Sequence, residues 1–456
     1  MKMTKKVLML AISFLCLLSG SYSTFLGRGS SREYERRHSG VYAQESPSAA
    51  SKITVFLDEN STLQDYLAYA ALHNPELQAA FNRWNASLEK IPQVQSLPDP
   101  QVGYTFEDMG GGFGSLRHRV EVSQMFPWFG KRNLMGERAR LEADIEGEMY
   151  RDMKLELDAM VVEAYAEYYY LVRETVVTEE NLKLMTYLEN VAQARYATGR
   201  GAQSDAVKAQ VELGILEERI QSLYDLLRPT TTRLNAILNR PGNALLPAPS
   251  ELPDASISVS EEQLLRHLHE NNPSLRVLDL KAEKGEKMAE LTKKLYYPDF
   301  MLGAGMQSGG ENLPGTMKSS ENSYMGMISL NIPLWREKNR AAVKEAEEML
   351  HSVENTRTNR ENQLIAEFQT TFFRYRDSVR KEQLYRDSLL PKAQQAFAVS
   401  QGAYEAGNVD FMDLVDAQRT LLELELALER ALTDRVMNHA AILRLTGMER
   451  LSANQN

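Results

Sequence analysis

Four short motifs occur in this chain, and then occur again in the same order. Asn74-Pro75-Glu76-Leu77 returns as Asn272-Pro273-Ser274-Leu275, and Pro98-Asp99 returns as Pro298-Asp299. Met125-Phe126-Pro127-Trp128 returns loosely as Asn331-Ile332-Pro333-Leu334-Trp335, and Tyr196 with Gly199 returns as Tyr404 with Gly407. The offsets are 198, 200, 206 and 208 residues, so the spacing drifts by small insertions only. A unit of this length is too long for a solenoid repeat and suits a half-structure copied once. Whatever the first half builds, the second must build as well.

Each copy changes period twice. Residues 62–96 read as a helix, with Leu63, Leu67, Ala70 and Ala71 on one face and Pro98 and Pro100 beyond its end. Val102, Tyr104 and Phe106 then alternate with polar residues, four glycines follow within 108–117, and Val120, Val122 and Phe126 alternate again. That is a hairpin, apolar on one side and polar on the other. The second copy repeats it with Phe300, Leu302, Ala304 and Met306, then Tyr324, Ile328, Leu330 and Ile332. After each hairpin comes a long helical stretch. No proline interrupts Gly130 to Ala197, and a helix of that length spans roughly 100 Å. Leu157, Val161, Ala164, Tyr168 and Leu171 supply its apolar stripe. Reversals are expected at Gly199–Gly201 and Gly407-Asn408. The second returning helix carries a coiled-coil seam of Leu414, Ala417, Leu421, Leu424, Leu428 and Ala431. Pro229 and Pro391 are expected to kink their helices.

Lys2, Lys5 and Lys6 precede an apolar run from Val7 to Leu18, which reads as a secretory signal peptide. The single cysteine, Cys16, lies inside that run, and Leu15 before it is not the small residue that lipidation requires. The expected plan is a signal peptide at 1–23 and an irregular leader at 24–60. A first repeat follows at 61–250, with its hairpin at 101–126 and helical rods at 130–239. The second repeat occupies 251–449, with its hairpin at 299–332 and rods at 335–446, and a tail runs over 450–456. A net charge of −10, with no basic cluster beyond the N-terminus, argues against nucleic acid as a partner.

Two readings of the strands stand side by side. They form a soluble sheet packed on a helix, or they cross an outer membrane. Lengths of about 9–10 residues, aromatics at the strand ends (Phe126, Trp128, Phe129, Tyr296, Tyr297, Tyr324 and Trp335) and predicted export favour the second. Four strands cannot close a barrel, and open edges cannot persist in lipid, so the second reading demands strands from other copies.

These motifs together resemble the TolC-like outer membrane efflux proteins, over about residues 60–450. The resemblance rests on the Asn-Pro openings, the Pro-Asp before each hairpin, the run Phe126-Pro127-Trp128-Phe129-Gly130-Lys131-Arg132 and the Tyr-x-x-Gly turns. It implies a mainly α fold with a membrane β-barrel: four strands per chain, twelve in a homotrimer, above an α-helical coiled-coil periplasmic tunnel. It implies outer-membrane localisation and a passive exit duct of a tripartite efflux system. The partners it implies are a periplasmic adaptor and an inner-membrane pump of the resistance-nodulation-division type. The exit from the first hairpin is more similar to heavy-metal efflux members than to drug or protein exporters.

The resemblance also implies a pore entrance at the helix reversals. Asp205 and Asp413, each six residues after a turn glycine, match the family's entrance aspartates, Asp416 follows one turn later, and Tyr404 matches a tyrosine that helps hold the entrance closed. The family prototype's arginine two residues after the second glycine is Val409 here, so that lock does not carry over. Gly199, Gly201 and Gly407 mark the tips for adaptor docking. From the residues alone, Asp205 and Asp413 are equally well read as acids that favour the start of a helix. In a symmetric trimer they become rings that favour cations.

Other constellations carry less. His267 and His269, two apart on a helix, do not share a face, so they indicate no metal site. Met109, Met125, Met301, Met306, Met317, Met325 and Met327 gather in or beside the hairpins, as apolar filler or as soft ligands. The glycine run at 110–114 lacks the lysine and helix of a phosphate loop and reads as an extracellular loop. No catalytic constellation and no cofactor motif emerges, which disfavours an exported hydrolase. An exported coiled-coil scaffold without a barrel is the remaining alternative.

Overall fold

The structure is a computed structural model and describes residues 57–58, 61–108, 116–308 and 322–448. The signal peptide, nearly all of the leader, the tail, Cys16, Met109, Met317 and the glycine run at 110–114 lie outside these residues.

Element order repeats the sequence plan. The first half holds α1 (Leu63–His73), α2 (Pro75–Gln95), β1 (Gln101–Asp108), β2 (Leu116–Phe126), α3 (Lys131–Ala197) and α4 (Gln203–Ile237). The second holds α5 (Glu261–Asn271), α6 (Pro273–Lys293), β3 (Phe300–Ser308), β4 (Asn322–Leu330), α7 (Arg336–Leu384), α8 (Leu390–Ala406) and α9 (Phe411–Thr446). Two compact bodies form, and neither is one repeat. The first gathers Trp84–Asp144 with Leu280–Glu354, and the second gathers the described parts of Ile53–Arg83, Ile145–Asp279 and Asn355–Asn456.

The first body centres on one antiparallel sheet in the order β1-β2-β3-β4. Directly opposed residues share a face. Tyr104 lies opposite Val120, Val120 opposite Met306 and Met306 opposite Tyr324, and the rows of Val102, Val122 and Ala304, of Leu302 and Ile328, and of Phe126, Phe300 and Leu330 fall on the same side. That side is apolar and uncovered: Val102 and Ile328 are 71% and 76% exposed. The opposite side carries Thr105, Arg119, Glu121, Gln307 and Ser329, with Met125, Met301, Met325 and Met327. Arg119 donates to Gln307 there at 3.2 Å. No helix among the described residues is long and apolar enough to cross a membrane. Aromatic rings collect at both ends of the apolar side. Tyr104 and His118 stack near the hairpin loops, and Phe126 stacks on Phe300 at the helix end. Tyr324 belongs with the first group.

A polar joint fastens the two hairpins at the helix end. Asp299, from the second Pro-Asp motif, accepts the Trp128 amide at 2.7 Å and the Lys131 ammonium at 2.7 Å. Trp128 stacks on Tyr297, with ring centroids 5.3 Å apart. Lys131 is buried, and this carboxylate is its counterion.

In the second body the repeated Asn-Pro motifs act as joints. The expected single helix over 62–96 breaks at Asn74, because a residue before proline is driven into extended conformation. Its side chain then caps α2, accepting the Glu76 and Leu77 amides at 3.0 Å each, and donates to Ile237 O at 3.0 Å. Asn272 does the same in the second half, accepting from Leu275 N at 3.1 Å and donating to Leu445 O at 2.9 Å. The irregular segment between the halves is held by tyrosines: Tyr168 donates to Leu246 O, Tyr165 to Glu251 O and Tyr375 to Ala255 O.

Two expectations about proline separate. A π-turn at Tyr385–Leu389 precedes Pro391, as a missing amide donor requires. α4, by contrast, continues through Pro229 as one helix. The carbonyl that Pro229 leaves without its helical donor belongs to Asp225, an exposed residue. The α9 seam is also broader than a leucine ladder. Leu414, Leu421 and Ala431 are buried as expected, but so are Val415, Leu422, Leu426 and the polar Gln418, Glu429 and Thr433. Gln418 donates to Asn181 of α3 at 2.8 Å, and Arg173 of α3 donates to Glu429 at 2.9 Å.

Removing the Asp299 carboxylate strands a buried lysine. Asp299→Ala should lower the stability of the sheet body by about 3–5 kcal/mol, read as a lower thermal midpoint in detergent. Asp99→Ala, at the exposed counterpart position, should leave the folding of the protomer unchanged.

Candidate functional site at the helix reversals

Two reversals end the long helices of the second body. α3 stops at Ala197 and α4 begins at Gln203; α8 stops at Ala406 and α9 begins at Phe411. Gly199 and Gly407 turn the chain with φ of 70° and 82°, a left-handed conformation that a side chain disfavours.

Arg195, in the last turn of α3, joins the two turns. Its guanidinium donates to Tyr404 O, to Glu405 O at 3.1 Å and to Arg200 O at 3.1 Å. It also lies 4.6 Å from the centre of the Tyr404 ring. One cation therefore gathers two carbonyls from the C-terminal end of α8, where the helix dipole is negative, and one from the turn that follows α3. A Cβ on Gly407 would stand 3.2 Å from this guanidinium, a second reason for glycine there.

Tyr404 is buried beneath that contact. Its ring lies 5.3 Å from Phe411, and its hydroxyl donates to Asp205 Oδ2 at 3.5 Å. Burial pushes the phenol above its ordinary value, and the Asp205 carboxylate pushes it further. Asp205 is itself buried, with Ser204 Oγ at 3.4 Å from its other oxygen. Two expected entrance residues, Asp205 and Tyr404, are thus brought together inside one protomer.

Asp413 and Asp416 are not part of that contact. Both are exposed, on the first turns of α9. Asp416 lies 3.7 Å from Arg419, which reaches Glu212 of α4 at 3.1 Å through Nε. Asp205 and Asp413 each fall in a helix's first turn, yet neither is an N-cap: those positions are Ala202 and Asp410, and neither makes a side-chain cap bond. Val409 packs against the apolar cluster of Phe411, Leu414 and Ala192. Sequence reasoning missed Arg195 and Arg419; the available signal for Arg195 was a basic residue in the last turn before a terminating glycine.

His267 and His269 take separate partners, Asn271 at 3.1 Å and Glu361 at 2.8 Å. No group of three or more His, Cys, Asp or Glu among the described residues is arranged to hold a metal ion.

A family described as outer membrane efflux protein matches residues 264–448. The cobalt-zinc-cadmium resistance protein CzcC of Cupriavidus metallidurans is 24% identical over 398 residues, 83% of this chain and 89% of that protein. Over the second half of the chain the similarity is to outer membrane efflux proteins. Solved structures share the chain's fold. CusC superposes with a TM-score of 0.74 at 15% identity, over 86% of this chain and 93% of that one. The outer membrane protein VceC of Vibrio cholerae gives 0.71 at 15% identity, over 85% and 96%. By their descriptions CusC forms a transmembrane channel and VceC is an outer membrane protein, and these likenesses show the fold that the chain shares with them.

Arg195 should set the local stability of the reversals. Arg195→Ala removes three charge-assisted bonds to carbonyls, worth about 1.5–3 kcal/mol each before solvent screening. Amides near 198–201 and 405–408 should then exchange hydrogen at least tenfold faster. Arg195→Lys should not restore protection, because an ammonium lacks the planar fork that reaches three acceptors.

Proposed function

We propose that three copies of this chain close their sheets into a twelve-stranded barrel and serve as the exit duct of a tripartite system for divalent metal cations. The observation that carries this reading is the sheet of β1 to β4. One side is largely apolar with much of it exposed, and neither edge strand has a second partner among the described residues. In lipid such edges need partners, and further copies of the same sheet are the economical source. On α4, Val207, Val211 and Ile215 recur every fourth residue and are each more than half exposed, a stripe suited to packing between copies. Family members form trimeric channels that work with an adaptor and an inner-membrane pump. The helix reversals with Gly199, Gly201 and Gly407 are assigned to adaptor docking, and the pump to the resistance-nodulation-division type.

The entrance assignment follows from symmetry. Exposed Asp413 and Asp416 become two rings of three carboxylates, which attract cations and repel anions. Asp205 and Tyr404 sit behind them as the closing contact. The metal assignment draws on the relative's name, which specifies cobalt, zinc and cadmium, and on the acidic entrance.

Purified protein in planar bilayers should conduct as a trimer with preference for cations. Asp413→Ala combined with Asp416→Ala should carry that preference towards parity and weaken block by divalent cations by about tenfold, the loss of roughly 1.4 kcal/mol of binding. A double variant with wild-type selectivity removes these residues from the pore. For cargo, a deletion strain should lose tolerance to cobalt, zinc or cadmium while its tolerance to dyes and detergents is unchanged. Sensitivity confined to dyes and detergents would reassign the duct to drugs.

A further inference from the structure

The methionines of the sheet break the rule that sorts its other apolar residues. The valines, isoleucine, phenylalanines and tyrosines of the four strands fall on the apolar side, as do Leu302, Ala304 and Leu330. Of the five strand methionines only Met306 joins them. Met125, Met301, Met325 and Met327 fall on the other side, among Gln101, Thr105, Arg119, Glu121, Ser123, Gln307 and Ser329. A methionine that merely fills apolar space would be sorted with leucine and isoleucine, because its bulk gives no reason to face the polar side. What a thioether has and leucine lacks is a sulfur lone pair.

The four are also contiguous. Met125 of β2 lies opposite Met301 of β3, and Met327 of β4 lies diagonally from Met301, opposite Gly303. Opposed Cβ atoms stand about 4.5–5.5 Å apart and diagonal ones about 7–8 Å, within reach of long side chains. Two glycines of β3 clear the ground between them. A Cβ on Gly303 would stand 3.0 Å from Met327 Cε, and one on Gly305 would stand 3.2 Å from Met325 Cγ. Both β4 side chains thus fold over β3 into space that its glycines leave, and Met327 settles beside Met301. Glu121, opposite Gly305, puts a carboxylate on the same face. Met125 and Met327 are 44% and 40% exposed, so the cluster is open to an ion arriving from solvent.

We propose that Met125, Met301 and Met327 form a binding site for a soft, singly charged metal cation, Cu(I) or Ag(I), with Met325 as the next ligand along β4. Thioethers are neutral, polarisable donors that select such ions and leave harder divalent cations to carboxylates and water. Neutral donors leave the ion its charge, so it stays exchangeable. Met325 and Met327, about 6.6 Å apart along one face of β4, offer it a short step between ligands. The site lies within the sheet of one protomer and does not depend on the assembly of three. In the barrel proposed above, its side faces the lumen. The cargo class then extends beyond the divalent cations that the entrance carboxylates attract.

Silver ion tests the site, because it shares the preference for thioethers and is stable in air. Full-length protein carrying Cys16→Ser, purified in detergent, should bind about one Ag(I) per chain tightly in equilibrium dialysis without chloride, and excess Zn(II) should not displace it. Methionine-to-leucine exchange keeps side-chain volume. Met125→Leu, Met301→Leu and Met327→Leu should each weaken Ag(I) binding about tenfold, and Met306→Leu, on the apolar side, should leave it unchanged. Wild-type affinity in the triple variant overturns the site. Displacement of Ag(I) by Zn(II) overturns its preference for soft cations. A second measurement needs no substitution among these methionines: bound Ag(I) should protect Met125, Met301 and Met327 from sulfoxide formation in dilute peroxide, while Met306 oxidises at an unchanged rate. Equal oxidation with and without Ag(I) overturns the site even where a variant fails to fold. Protection in protein that forms no trimer supports the site and overturns the barrel alone.

Discussion

A β-strand at the edge of a sheet leaves every second backbone amide and carbonyl without a partner, and hydrocarbon offers none. Each such group costs several kcal/mol to bury. β1 and β4 are edges of this kind, on a sheet whose apolar side already rejects water. In the membrane barrel proposed above, the protomer is incomplete as a single object. Under that proposal the exposed aliphatic stripe on α4 meets the same demand as the sheet edges, a body finished by its copies.

The helical body solves a different problem. Antiparallel helices with purely apolar seams slide easily past one another, because one leucine fits much like another. Gln418 against Asn181 and Glu429 against Arg173 place polar contacts inside the seam of α3 and α9. A shifted register would bury these groups without partners, at greater cost than the seam gains from their presence. At the far end of the same helices, Arg195 draws the two turns onto one cation. The reversals are thus positioned by contacts within the chain, before any neighbour contributes.

Much of this was legible in the sequence, for stated reasons. Strands with one apolar side alternate with period two, so the hairpins, their apolar residues and even the matched offsets could be read directly. Turn glycines announced the reversals, and a family resemblance drew attention to Asp205 and Tyr404, which the fold brings into contact. The helix break at Asn74 was hidden because the apolar stripe of α1 runs on into α2; the asparagine was read as a repeat marker, not as a cap. Gln418, Glu429 and Thr433 were hidden because counting leucines cannot see a polar residue inside a seam. Arg195 was hidden because an arginine in a polar stretch is ordinarily a surface residue, and only the three-dimensional meeting of two turns gives it three carbonyls.

The paired asparagines have a consequence of their own. Asn74 ties the opening of the first half to the last turn of α4, and Asn272 ties the opening of the second half to the last turn of α9. In each case a single amide clasps the beginning of a half to its own end and not to the other half. Each half is thereby a loop closed on itself, and the pinned strap is its covalent link to its twin. Such a design could have begun as two identical polypeptides assembling side by side, and severing the strap today would leave each piece with its own clasp intact.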